Sequence, residues 1–148
     1  MPLMFHEVPI ACINQAAEAY QVPAPLIMAI ILTENGQDGT QSKNENGTVD
    51  LGIMQINSSW APRFEHSGYT LSDVTNDPCE NVYVGTWILS HCIYNNPADL
   101  TTAIGDYHSH TPYYNLDYAL KVIAKYNQIN TQIQPFLSPQ CAKEGLIC

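Results

Sequence analysis

Residues 26–60 read LIMAIILTENGQDGTQSKNENGTVDLGIMQINSSW, and the reading of this stretch decides the fold. Leu26 to Leu32 is an unbroken apolar run, and a helix that is apolar nearly all round belongs inside a core. With Pro25 near its start, that helix is expected over about Ala24–Asn35. It closes on Thr33-Glu34-Asn35-Gly36, with Gly36 as the expected C-cap. The composition then changes, and Gly, Asn, Asp, Ser and Thr dominate up to Asn57. Asn46-Gly47 signals a type I′ hairpin turn, so a small irregular hairpin followed by a buried turn is expected. Glu34 is the sharpest feature. The C-terminal end of a helix dipole disfavours its charge, and so do apolar neighbours. Both raise its pKa toward what a general acid needs near neutral pH. Asp50 follows beyond the turn. A carboxyl on a helix end facing one on a hairpin is a layout for cleaving glycosidic bonds, although Asp50 reads equally well as a turn-capping aspartate.

Working outward, Val8–Tyr20 reads as a helix with Ile10, Ile13, Ala17 and Tyr20 on one face. Short helices are expected over Ser58–Glu65 and Leu71–Asn76. A longer one is expected over Glu80–Tyr94, with the stripe Val84, Trp87, Ile88 and Cys92 or His91, and with Gly85 allowing close helix packing. Leu100–Tyr107 and Leu116–Asn130 complete the set. Leu120, Ile123, Ala124 and Tyr126-Asn127 are assigned to the core side of the last helix. From about residue 131 the tail is irregular, with Pro135, Pro139, Cys141 and Cys148. The expected architecture is one α+β domain over residues 1–148, mostly α, with a small β-hairpin lobe beside the Glu34 helix.

The chain has 148 residues, five Lys+Arg against fourteen Asp+Glu, and a formal charge of −9. Such a field repels phosphate, so nucleic acid and anionic lipid surfaces are poor partners. No apolar run approaches the roughly 20 residues of a membrane-spanning helix. The start, Met-Pro-Leu-Met-Phe-His-Glu, lacks a basic n-region and a long apolar h-region, so the expectation is the mature part of an exported protein. Five cysteines, with no C-x-x-C pair, suit two bridges and one free thiol in an oxidising compartment. His108 and His110 with Asp106 invite a metal, but three ligands from one short loop are cramped. No metal or other cofactor is expected.

Asn44 to Trp60, following a helix-end Glu, resembles the corresponding segment of the lysozyme-like superfamily. That segment is common to animal-type lysozymes and to bacterial lytic transglycosylases of the soluble family-1 kind. Three further motifs separate the two. Asp77-Pro78-Cys79-x-Asn81-Val82-x-Val84-Gly85-x-Trp87-Ile88-Leu89 is similar to a run in the specialised transglycosylases that accompany secretion systems, pili and conjugation machines. Ala103-Ile104-Gly105-Asp106-Tyr107-His108-Ser109 resembles their next motif, and Thr111-Pro112 to Tyr118 the one after it. Cys12 sits where this group often carries a first-helix cysteine. The resemblance covers about Cys12 to Asn127. It implies a lysozyme-like fold with Glu34 as catalytic acid and base and Asp50 as a secondary carboxylate. It also implies Met54 (by its backbone), Gln55 and Asn57 on the glycan, Tyr107 lining the cleft, and Tyr118 supporting it from the last helix. Asn35 stands where the family commonly has Ser or Thr, and its amide can still donate to substrate.

The same resemblance implies a Cys12–Cys79 bridge. Cys141 could then pair with Cys148 and leave Cys92 buried as a small apolar residue, or Cys92 could pair with either tail cysteine. The implied substrate is peptidoglycan, the implied partner a cell-envelope-spanning machine, and the implied location the periplasm. A lysozyme-like hydrolase using Glu34 and Asp50 is the runner-up, and a non-catalytic glycan-binding assembly protein stands third.

Overall fold

The computed structural model describes residues 2–133, and the tail from 134 onward, with Cys141 and Cys148, lies outside the described residues. The chain opens with a two-stranded hairpin, Met4–Phe5 (β1) against Val8–Pro9 (β2). The first helix therefore starts at Ile10 (α1, Ile10–Tyr20), not at Val8. The residue before a proline is pushed out of the α region, and Pro9 itself sits at ψ 131°. Ile13 is fully buried, with Ala17 and Tyr20 packed beside it.

Helix α2 runs Ala24–Glu34 and buries Leu26, Ile27, Ala29, Ile30 and Ile31. It is the core element its composition implies. Its end differs from expectation. Asn35, not Gly36, takes the left-handed conformation, at φ 52°, and its N–H donates to Ile31 C=O. Asparagine tolerates that region through its short polar side chain. Gly36 is needed for another reason: a Cβ there would lie 2.2 Å from the Gly52 carbonyl oxygen and 2.7 Å from that of Ile53. The chain thus presses against the turn of the neighbouring lobe directly after Glu34.

That lobe is a three-stranded antiparallel sheet of Gln41–Lys43 (β3), Val49–Leu51 (β4) and Ile56–Asn57 (β5). Lys43 pairs with Val49, so five residues form the hairpin loop, and the type I′ turn is absent. Gly47 N–H donates to Asn44 C=O, closing a turn centred on Glu45 and Asn46. Gly47 alone in the loop has positive φ, 86°. Type I′ needs positive φ at both central residues, and Asn46 avoids it by placing Oδ1 on Thr48 N–H (3.0 Å). Asp50 pairs with Asn57 and Leu51 with Ile56 across β4 and β5.

Ser58–Trp60 is a single 3₁₀ turn, followed by α3 (Ala61–His66) and α4 (Leu71–Asn76). The single helix expected over Ser58–Glu65 is split where Pro62 enters the first turn of α3. Helix α5 (Pro78–Asn95) starts two residues earlier than expected, because Asp77 caps the N–H groups of Cys79 and Glu80. Val84, Ile88 and Cys92 are buried, which assigns the stripe to Cys92. Gly85 faces a turn and not a helix, and a Cβ there would meet Met54 Sδ at 2.6 Å. Helix α6 (Leu100–Asp106) leads into α7 (Pro112–Ile133), which packs along both α2 and α6. The expected face of α7 is only partly the observed one: Ile123 and Tyr126 pack against the core as expected, and Leu120, Ala124 and Asn127 do not. Asn115, Tyr118, Ala119, Val122 and Ile129 point inward, whereas Leu116, Leu120, Ala124 and Asn127 are exposed. Cys12 on α1 and Cys79 on α5 are bridged, with Cα atoms 5.4 Å apart. Among the described residues, no single helix is long and apolar enough to cross a membrane.

Candidate active site

A cleft of about 710 Å³ lies between the β-sheet lobe and the helices, and Glu34 lines it. The apolar run of α2 drives that helix into the core, and its last residue emerges at the cleft. Glu34 is partly exposed. Its carboxyl is pushed up to about 8 from an ordinary value of 4.5, first by burial and then by the charge of Asp50, while the Tyr118 hydroxyl acts in the opposite sense. That hydroxyl donates to Glu34 Oε2 at 3.3 Å. At neutral pH Glu34 is therefore protonated and facing an open cleft, the state a general acid requires.

Asp50, on β4, lines the same cleft. Its Oδ1 accepts from the Asn44 amide (3.2 Å) and the Asn57 amide (3.1 Å). The same two amides also donate to Thr48 Oγ1, each at 3.0 Å. Thr48 Oγ1 in turn donates to Asn46 Oδ1 at 2.6 Å. The hairpin loop is a connected network of short polar side chains, which explains its Asn-rich sequence: each amide bridges one acceptor to the next.

Tyr107 lines the opposing wall, with buried Tyr118 packed behind it. Their rings stack with centroids 6.3 Å apart, and His108 stacks on Tyr118 at 4.9 Å. Tyr107 Oη donates to Met54 C=O at 2.8 Å. Both tyrosine hydroxyls are held well above their ordinary pKa, by burial first and then by the Glu34 charge. They are hydrogen-bond donors at any working pH.

The expected residues divide accordingly. Glu34, Asp50, Gln55, Asn57 and Tyr107 line one cleft, and Tyr118 touches Glu34 from behind. Met54 lies differently. Its side chain is fully buried, its N–H donates to Asn81 Oδ1 (2.9 Å), and its C=O is taken by Tyr107. Gln55 sits at φ 52° and turns its amide back onto Gly52 C=O at 2.9 Å. Asn35 is exposed and belongs to the helix end, not to the cleft lining.

Several residues of the site carried no role in the sequence reading. Fully buried Asn81 donates to Leu51 C=O (2.9 Å) and Val74 C=O (2.8 Å) while accepting from Met54, so one amide pins the turn between β4 and β5. Buried Asn115 donates to Asp106 Oδ1 (2.8 Å) and anchors the loop after α6. Trp60 lines the cleft, and its ring meets Trp87 at 5.7 Å and His91 at 6.0 Å. Half-buried His91 is thus part of this aromatic cluster. Asn81 within Asp77-Pro78-Cys79-x-Asn81 and Trp60 at the end of the hairpin motif were the available signals. Asp106 pairs with His110 at 3.1 Å, and no three His, Cys, Asp or Glu side chains converge as a metal site among the described residues.

Over residues 11–135 the chain matches the family described as Transglycosylase SLT domain. It is 34% identical over 80 residues to Protein IpgF of Shigella flexneri, covering 53% of each chain. It is 36% identical over 80 residues to Invasion protein IagB of Salmonella typhimurium, covering 53% of this chain and 50% of that one. With a Peptidoglycan-binding-like protein of Escherichia coli O157:H7 it shares 28% identity over 132 residues, 81% of this chain and 78% of the other. The chain spans about half the length of the first two relatives.

Proposed function

The chain belongs to the Transglycosylase SLT domain family, and on that premise we propose that it is a peptidoglycan lytic transglycosylase. It cleaves the β-1,4 bond between N-acetylmuramic acid and N-acetylglucosamine and leaves a 1,6-anhydro end. The observation that carries this reading is one protonated carboxyl, Glu34, held by Tyr118 at the mouth of an open cleft. Glu34 gives its proton to the glycosidic oxygen as the C1–O bond breaks, and the substrate's own acetamido oxygen closes on C1. Glu34, now ionised, takes the proton of the C6 hydroxyl. O6 then bonds to C1, the acetamido oxygen leaves, and no water is consumed. Gln55, Asn57 and Tyr107 border the bound glycan in this scheme. Muropeptide mass spectrometry after digestion of purified walls tests it. Anhydro ends are expected, and reducing ends one water heavier, with no anhydro form, overturn it.

The hydrolase reading requires Asp50 as nucleophile or water-positioning base. Two amides on one oxygen of Asp50 support an electrostatic role for it instead. Asp50→Asn is therefore expected to keep anhydro-product formation while Glu34→Gln loses it.

The Cys12–Cys79 bridge supports an oxidising compartment, the periplasm, where this substrate lies. Similarity to an invasion protein supports local wall opening for an envelope-spanning secretion, conjugation or pilus machine. Cell fractionation tests the first point. Loss of machine assembly in a strain carrying Glu34→Gln tests the second.

A further inference from the structure

The cleft has a branch. Past Trp60 it continues into a side pocket of about 330 Å³, and Ser59, Trp60, Asp106 and His110 border both spaces. The far wall of the branch carries Arg63, His91 and Asn95. Arg63 is the chain's only arginine, in a molecule whose formal charge is −9. It is exposed, and no carboxylate lies within ion-pair distance of it among the described residues. Its guanidinium sits over the Trp60 ring, 4.9 Å from the centroid. Trp60 is in turn fixed edge-on to Trp87 and His91. A guanidinium on an aromatic face keeps its in-plane donors free for a carboxylate. The acidic group of the branch is already committed: Asp106 accepts from Asn96 (2.9 Å) and Asn115 (2.8 Å) and pairs with His110.

Peptidoglycan supplies the matching chemistry. Its glycan carries acidic peptides that leave the strand sideways from alternate sugars, and a cleft that holds the strand must send such a peptide somewhere. We propose that the branch is a peptide-stem subsite in which Arg63, seated on Trp60, pairs with a stem carboxylate. This inference rests on the reading of the cleft as a peptidoglycan site. It makes the protein selective for strands that still carry their peptides.

The test compares peptide-bearing glycan strands with strands stripped by an amidase. Turnover is measured with the wild-type chain and binding in the Glu34→Gln background, where strands are not consumed. The wild type is expected to prefer peptide-bearing strands about fivefold, the upper range for an exposed ion pair. Arg63→Gln is expected to bring the ratio to about one, and Arg63→Lys to keep part of it. A wild-type ratio of one, or an unchanged ratio in Arg63→Gln, overturns the subsite while anhydro product upholds the enzymatic reading. A binding preference without any turnover upholds the subsite and overturns the enzymatic reading.

Discussion

Replacing Tyr118 by Phe removes a hydroxyl that stabilises the Glu34 carboxylate, so the Glu34 pKa rises further in that variant. Asp50→Asn removes a repelling charge, so the pKa falls. Catalysis by a protonated acid is lost as pH climbs through the folded value of about 8. The basic limb of kcat/KM is therefore expected to move up in Tyr118→Phe and down in Asp50→Asn, each by about half a pH unit. Shifts of one sign in both variants would break the argument. Glu34→Gln is expected to lower kcat by a factor on the order of 10²–10⁴. It also has a stability signature. Because the folded value lies above the ordinary 4.5, the protonated form's stabilisation is complete below 4.5 and is lost as pH rises toward 8. Glu34→Gln is thus expected to melt higher than wild type at about pH 9 and level with it at about pH 4, by calorimetry. Glu34 was legible in the sequence because apolar run and terminal carboxylate are adjacent. Asn81 was not, since its three partners lie on separate elements and no local pattern announces a buried amide.

At the scale of elements, the junction of α2 with the sheet lobe holds the site open. Asn81→Ala leaves the Leu51 and Val74 carbonyls and the Met54 N–H without partners inside the core. A loss of about 3 kcal/mol in chemical denaturation is expected. The cost falls on function too, because Met54 C=O receives Tyr107. Gly36→Ala is expected to be still less tolerated, for its Cβ would meet backbone oxygens that have no flexible side chain to yield. Helix existence was readable from periodicity, and α2, α4 and α6 lie within a residue of their expected limits. The phase of α7 was legible only in part, at Ile123 and Tyr126. Hydropathy favours Leu120, yet Asn115 and Tyr118 face inward because one anchors the loop after α6 and the other reaches Glu34. Where polar groups occupy the inner face for a purpose, an apolar stripe misreports the direction of the core.

Over the whole molecule, the Cys12–Cys79 bridge ties α1 to α5 across a sequence separation of 67. Closing a loop of that length removes unfolded-state entropy worth about 4 kcal/mol. Cys12→Ala with Cys79→Ala is expected to lower Tm by on the order of 10 °C, and wild type under reductant is expected to follow it. The sequence by itself determined the mostly helical class, the core helix with its terminal Glu34, and the polar hairpin beyond it. Each of these is a local matter of spacing and residue type, and such information is written along the chain. Only the tertiary structure decided that Tyr118 reaches Glu34 across 84 positions, that Asn81 pins the turn, and that the cleft branches toward Arg63. Those features depend on burial and on distances between separate elements, and folding alone creates both.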